Sequence, residues 1–370
     1  MASKMNEAAL EAGIEKALTG SCLEELSGGV NIAAEPKEIY RGGNGFYIGN
    51  SSEYNAQYAL DETRFWHFLE STQKEELDKL KRTADWKLKI LERLDRMIKK
   101  YGLLRLLRKG LEVEDAHFTL LFQVPMASSS QAVKDNFEKN EFSVTRQVRY
   151  NTENQREEID MVVFINGLPV ATLELKNAWT GQTAKVNGIK QYCNRDIRQP
   201  LLQFGRCVVH LAVDTDEVYM CTKLDGANSF FLPFNKGNNN GKGNPLNPFG
   251  HKTAYLWEEI FTRDSLANII QHFVRLDGKP TDALGKRTLY FPRYHQLDVV
   301  RKLLSHASKN GVGHTYLIQH SAGSGKSNSI TWAAYQLIET YPERDGLPGA
   351  KGIQNPLFDS VIVVTDRRLL

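Results

Sequence analysis

The spacing of apolar and polar positions changes period several times along this chain, and those changes mark its elements. Leu10, Ile14, Leu18 and Leu23 punctuate residues 6–27 at helical spacing, with Gly20 and Gly28 as breaks. Glu7, Glu11 and Glu15 follow at i, i+4 intervals on the same predicted helix. That spacing suits a solvated acidic face, with one of the three left as a candidate to reach a carboxylate cluster. Thr72-Gln-Lys-Glu75 matches a capping box, and a buried helical stripe of Leu77, Leu80, Leu88, Leu91, Leu94 and Ile98 is expected to follow it toward Gly110. Strands are predicted at 118–124, 142–150, 207–213 and 218–224, with a helix at 182–195. Residues 234–252 are rich in Gly, Asn and Pro and read as a long loop. Helices are expected at 255–261 and 266–274, the second capped by Asp264 or Ser265. Strands mixed with flanking helices indicate an α/β domain around a mixed sheet, ending near residue 275.

Residues 159–176 concentrate the chemistry. Ile159-Asp-Met-Val-Val-Phe-Ile165 and Val170-Ala-Thr-Leu-Glu-Leu-Lys176 are β-branched apolar runs, and Asn166-Gly-Leu-Pro169 between them is a turn. Asp160 and Glu174 are out of place in such strands by propensity. Glu174 and Lys176, two residues apart, share one face of an extended strand. Carboxylates of this kind hold Mg²⁺, and an adjacent lysine orients water or stabilises charge on a scissile phosphate. The alternative is a solvent-facing hairpin with an ordinary polar face. Geometry separates the two: Asp160 joins Glu174 and Lys176 only if the turn is odd or a bulge resets the register.

Composition narrows the field only a little. The chain has 370 residues, 41% hydrophobic and 25% charged, which suits two soluble domains. A net charge of +3 means that any nucleic-acid surface must come from local clustering. The four cysteines show no metal-ligand spacing. Neither a signal peptide nor a membrane-length apolar run is present, so a cytoplasmic protein without membrane contact is expected.

A second site follows the long loop. A buried strand is predicted at 315–319, then Ser321-Ala-Gly-Ser-Gly-Lys-Ser327, then a helix over 328–339. Strand, glycine loop and helix in this order form a phosphate cradle. Backbone N–H groups of Gly323, Ser324, Gly325, Lys326 and Ser327 would wrap the β-phosphate of ATP. Lys326 would bridge the β- and γ-phosphates, and the Ser327 hydroxyl would bind Mg²⁺. His320 stands where the strict motif has its first glycine.

Phe291-Pro-Arg-Tyr-His-Gln296 resembles the Q-motif of superfamily 2 helicases, which implies that Gln296, with Arg293 beside it, reads adenine. Val361-Ile-Val-Val-Thr-Asp-Arg-Arg368 resembles helicase motif Ia, expected as a buried strand that runs into a DNA-contacting turn. An Asp…Glu-x-Lys hairpin ahead of such a motor resembles the restriction (R) subunit of type I restriction enzymes. The likeness extends through Glu174-Leu-Lys-Asn177, Leu232-Pro-Phe-Asn-Lys-Gly237, Gly243-Asn-Pro245, Thr253-Ala-Tyr-Leu-Trp-Glu-Glu259 and Gln319-His-Ser-Ala-Gly-Ser-Gly-Lys-Ser327, spanning about residues 60–370.

The resemblance implies a PD-(D/E)xK restriction-endonuclease-like domain over 1–275 and the start of a RecA-like P-loop domain over 276–370. It implies Mg²⁺ on Asp160 and Glu174, with Lys176 positioning water, and ATP-driven translocation of double-stranded DNA before cleavage. The implied partners are methyltransferase (M) and specificity (S) subunits, of which the complex uses S-adenosylmethionine. The family's Q-x-x-x-Y element maps its tyrosine onto Tyr192, but its glutamine onto Gly188, and Gln191 is the nearest substitute. Residues 1–370 contain no acidic Walker-B motif after the glycine loop, so little ATP turnover is expected from them. Two other readings stay open: a helicase or repair translocase whose N-terminal domain only binds DNA, and a catalytically silent fragment.

Overall fold

A computed structural model describes residues 2–27, 42–177, 181–239 and 241–364, with side chains from Glu7 onward. Seven strands form one mixed sheet, and they lie side by side in chain order. They are β1 (Tyr47–Ile48), β2 (Phe142–Arg149), β3 (Glu158–Ile165), β4 (Leu168–Leu175), β5 (Val209–Val213), β6 (Val218–Cys221) and β7 (Leu232–Pro233). β1 runs parallel to β2 and β4 parallel to β5, and the other neighbours are antiparallel. The chain is therefore α/β around a large mixed sheet, as its pattern predicts.

The predicted hairpin is β3–β4. Asn166 and Gly167 close it with φ of +51° and +78°, the left-handed pair that a tight two-residue turn demands. Gly167 admits no side chain, because a Cβ there would lie 2.5 Å from the Asp61 carbonyl oxygen. The Asn166 side chain is buried and accepts from the Glu141 N–H at 2.7 Å. It also donates to the Leu120 carbonyl at 2.9 Å and to the Asn140 side chain at 3.0 Å. Beyond the turn the register slips: Phe164 faces Pro169, but Val163 faces Ala171, which leaves Val170 as a bulge. Pro169, which has no N–H to give a ladder, sits at this irregularity.

Alternate positions of β3 feed two cores. Met161, Val163 and Ile165 join a large apolar cluster with Leu10, Ile14 and Leu18 of helix α1 (Ala2–Thr19). Val162 and Phe164 face the other way, onto Tyr150, Tyr192 and Leu201. Between β4 and β5 the chain crosses over through a π-helical turn, Ala184–Gly188, that continues into a short helix, Ile189–Asn194.

The helices between β1 and β2 depart from the pattern. Thr72 is not a cap but the last residue of α2 (Glu62–Thr72), and its hydroxyl donates to the Phe68 carbonyl at 2.6 Å. The cap is Asp61, which accepts from the Arg64 N–H at 3.0 Å. The single stripe expected to Gly110 is three helices, α3 (Lys74–Leu80), α4 (Trp86–Tyr101) and α5 (Leu103–Lys109), broken last at Gly102 with φ +81°. Leu88 is 49% exposed, off the buried stripe. The predicted strand at 118–124 shrinks to Ala116–Phe118, hairpinned with Leu111–Val113, because the Asn140 side chain takes both polar groups of Phe122. Helix α6 spans Ile189–Asn194. Thr262, rather than Asp264 or Ser265, caps the helix Arg263–Asn268.

Helices α7 (Tyr294–Asn310) and α8 (Lys326–Leu337) pack together near the second site. The predicted strand at 315–319 does not form, and Leu317 is 95% exposed. Nor do residues 361–364 form a strand. A buried strand needs hydrogen-bonding neighbours, and among the described residues neither run has one. The Asp366-Arg-Arg part of the expected motif Ia lies outside the described residues. No helix among the described residues is long and apolar enough to cross a membrane.

Two stability predictions follow from the hairpin's surroundings. Asn166→Ala removes three buried side-chain bonds and a residue tolerant of positive φ, so urea unfolding should show a loss of about 2–4 kcal/mol. Burial lifts the Asp61 carboxyl to about 6, against a backbone hydrogen bond that pulls it down. Its folded pKa lies above its unfolded one, so its contribution is favourable below pH 4 and is lost as pH rises through 6. Asp61→Asn should make that fall in melting temperature shallower; an unchanged slope would remove Asp61 from the account.

Candidate active site

The bulge settles the geometric question raised by the sequence. Met161 pairs with Leu173, and one step further along the ladder Asp160 stands across from Glu174. Paired positions share a face, so Asp160, Glu174 and Lys176 lie on the same side of the sheet. Gln147, in the gap of the β2–β3 ladder beside Asp160, takes φ +51° inside a strand. Such strain in a non-glycine residue collects at functional positions.

Asp160 is partly exposed, and its Oδ2 accepts from the Leu175 N–H at 2.7 Å. Lys176 Nζ is 3.8 Å from that oxygen and 3.8 Å from Glu7 Oε1, and it donates to the Leu175 carbonyl at 2.7 Å. Glu174 is fully buried. Burial first, and the charge of Asp160 second, hold its carboxyl well above the usual carboxylate range. Its Oε1 forms an ion pair with Arg195, at the C-terminal end of α6, yet neither carboxylate oxygen has a hydrogen-bond partner of normal geometry. Among the described residues, no three His, Cys, Asp or Glu side chains converge tightly enough to hold a metal by themselves.

The acidic positions of α1 are not a solvated face. Glu7 reaches Lys176, and Glu11 and Glu15 are buried. Arg146 of β2 gathers Glu11 at 3.1 Å, Glu15 at 3.3 Å and Glu24 at 2.8 Å. The helix lies with its carboxylates against the sheet because a cation waits there. Sequence periodicity sees the spacing of the glutamates but not Arg146.

Tyr192 is buried on the same side of β4, its hydroxyl 2.8 Å from Thr172 Oγ1, which is 2.8 Å from His210 Nδ1. Burial pushes His210 down to about 3, so the ring is neutral and acts as a hydrogen-bonding group. Thr172 and His210 were invisible to motif reading; a lone histidine inside the apolar run of β5 was the available signal. Gly188, where the family pattern has glutamine, is pressed against the sheet. A Cβ there would lie 3.0 Å from the Ala212 Cβ and 3.7 Å from the Lys176 side chain. Gln191 is half-buried on α6, directly before Tyr192.

The glycine loop forms a separate site. Gly323 and Gly325 take φ of +72° and +82°, and Gly325 precedes α8, so the N–H groups of Lys326 and Ser327 begin the helix without intrahelical partners. Lys326 and Ser327 are exposed, whereas Ser324 is buried with its hydroxyl on the Ser321 carbonyl. Gln296 lies beneath the loop. Its amide nitrogen donates to the carbonyls of Ser324 and Gly325 at 3.0 and 3.1 Å, and its oxygen accepts from the Arg293 N–H. Both ends of this side chain are thus bound to protein. A cavity of about 990 Å³ opens beside the glycine loop, lined among others by Lys185, Glu217, Lys236, Lys242, Arg293 and Ser321.

Residues 53–229 match the family described as type I restriction enzyme R protein N terminus. The chain is 23% identical over 279 residues to the type I restriction enzyme HindI endonuclease subunit of Haemophilus influenzae, covering 74% of this chain and 24% of that protein. Two Methanocaldococcus jannaschii proteins, named as endonuclease subunits of the type I enzymes MjaIXP and MjaVIIIP, are 25% and 22% identical. These cover 55% and 64% of this chain and 21% of each relative. The chain thus spans about a fifth to a quarter of the length of the curated relatives it matches. The matched segment runs from the residue before β-bridge partner Tyr54 through the whole β2–β6 region, and with it the hairpin that carries Asp160, Glu174 and Lys176. Residues 53–229 are thus similar to the N-terminal region of type I restriction enzyme R proteins.

Proposed function

We propose that this chain carries the Mg²⁺-dependent DNA-cleaving site of a type I restriction enzyme R subunit, in a PD-(D/E)xK-type domain, together with the first nucleotide-binding loop of its ATP-driven, RecA-like translocation motor. The observation that carries the reading is the bulge that turns Asp160 onto the face of Glu174 and Lys176. A decorative polar hairpin has no need to bury Glu174 completely, with one of its oxygens on Arg195 and the other without a partner.

The donor set fits Mg²⁺, which takes one or two protein carboxylates and fills its remaining positions with water and substrate phosphate. Asp160 and Glu174 would hold it, with Glu7 close enough to Lys176 to tune the local charge. When bound, Mg²⁺ lowers the pKa of a water and neutralises charge on the scissile phosphate. Lys176, fixed by the Leu175 carbonyl, supplies a positive charge where the attacked phosphate gains negative charge. Tyr192 is held by Thr172 at the wall of the site, Thr172 in turn by His210, and Gln191 precedes Tyr192 on α6.

ATP is the ligand proposed for Gly323–Ser327. Lys326 and Ser327 are free to reach its phosphates and their Mg²⁺, while Gln296 braces the loop from below and the Arg293 N–H holds Gln296. Double-stranded DNA is the proposed substrate, and methyltransferase and specificity subunits the proposed partners, with S-adenosylmethionine belonging to them.

The test separates cleavage from motor activity in the complete enzyme assembled with its partners. Asp160→Asn and Lys176→Ala should each lower DNA cutting about 100-fold or more, while DNA-stimulated ATP hydrolysis remains. Conversely, Lys326→Ala should abolish ATP hydrolysis. Cutting that survives the first two changes would assign the N-terminal domain to DNA binding alone.

A further inference from the structure

Arg195 stands inside the proposed metal site, and no feature of the cleavage reaction described above uses it. Its side chain is 7% exposed, and its guanidinium reaches both strands of the hairpin. Nη2 donates to the Glu158 carbonyl at 2.6 Å, at the start of β3, and pairs with Glu174 near the end of β4. The guanidinium carbon lies 5.1 Å from the centre of the Tyr150 ring. Nε has no hydrogen-bond partner and neither has Glu174 Oε2, so the guanidinium on Oε1 is the one polar contact of this carboxylate among the described residues. A buried ion pair that leaves two polar atoms unsatisfied adds little net stability, although its carboxylate still needs a cation beside it.

The pair also occupies the ligand that the cation needs. Glu174 has no contact with solvent, so a divalent ion that binds it must come close to the guanidinium already there. Two positive groups on one carboxylate repel strongly away from bulk water. The Glu158 carbonyl and the face of Tyr150 offer the guanidinium a place to remain after it leaves Glu174. We propose that Arg195 is a resident counter-ion, which holds Glu174 in the metal-free protein and is displaced when a divalent cation loads. Loading is then coupled to the C-terminal end of α6, the helix that also carries Tyr192 and Gln191. Arg195 is thus a positioning residue. This inference rests on the metal-site reading above.

The experiment is a Mn²⁺ titration of the chain followed by electron paramagnetic resonance, with and without a short DNA duplex, on wild type, Arg195→Ala and Arg195→Lys. Arg195→Ala should bind Mn²⁺ about tenfold or more tightly than wild type, with Arg195→Lys between them. Wild-type binding that is unchanged or weakened by Arg195→Ala overturns the inference and leaves the metal site standing. If neither protein binds Mn²⁺ even with duplex present, the metal site itself falls, and the inference with it. Should the alanine variant lack a cooperative thermal transition, Arg195→Lys decides alone: tighter binding supports displacement, and equal or weaker binding overturns it.

Discussion

A β-hairpin alternates its side chains strictly between two faces, and one extra residue reverses the assignment of everything beyond it. Val170 is that residue here. With the unslipped register of the turn, Asp160 would stand across from Leu173, and Glu174 would project to the opposite side. The bulge instead collects Asp160, Thr172, Glu174 and Lys176 on one face, while Met161, Leu173 and Leu175 keep to the main core. The turn that anchors this register is clamped at Asn166 and allows only glycine at 167.

Gathering so many charges under a helix is costly, and the fold offsets the cost by pairing. Arg146 draws Glu11, Glu15 and Glu24 together, Lys176 meets Asp160 and Glu7, and Arg195 covers Glu174. Buried pairs of this kind add little net stability, but breaking one leaves an uncompensated charge. They therefore fix where α1 and α6 lie against the sheet more than they strengthen the protein. Both helices thereby border the carboxylates, one through Glu7 and the other through Arg195.

Much of this was legible in the sequence where the signal is local. The hairpin, the strands at 142–150 and 207–213, and the glycine loop ahead of α8 each depend on a few neighbouring residues. Asp160, Glu174 and Lys176 were recognisable as residue types out of place, but their shared face depended on a bulge that no spacing rule announces. The glutamates of α1 show the opposite failure: i, i+4 acidic spacing looks the same whether it faces water or Arg146, more than a hundred residues away in the chain. Thr72 matched a capping box yet closes a helix, since Asp61 had already begun one eleven residues earlier. The apolar runs at 315–319 and 361–364 have strand composition, but strands need partners, and composition does not supply them.

The central claim is that the bulged hairpin builds a cation site on Asp160 and Glu174. The most direct measurement is diffraction from crystals soaked in Mn²⁺, using the anomalous signal of the metal. The account predicts a peak in contact with both carboxylates, lost in Glu174→Ala crystals. Mn²⁺ bound elsewhere at saturating concentration, with Glu174 still on Arg195, would contradict it and return the hairpin to a structural role.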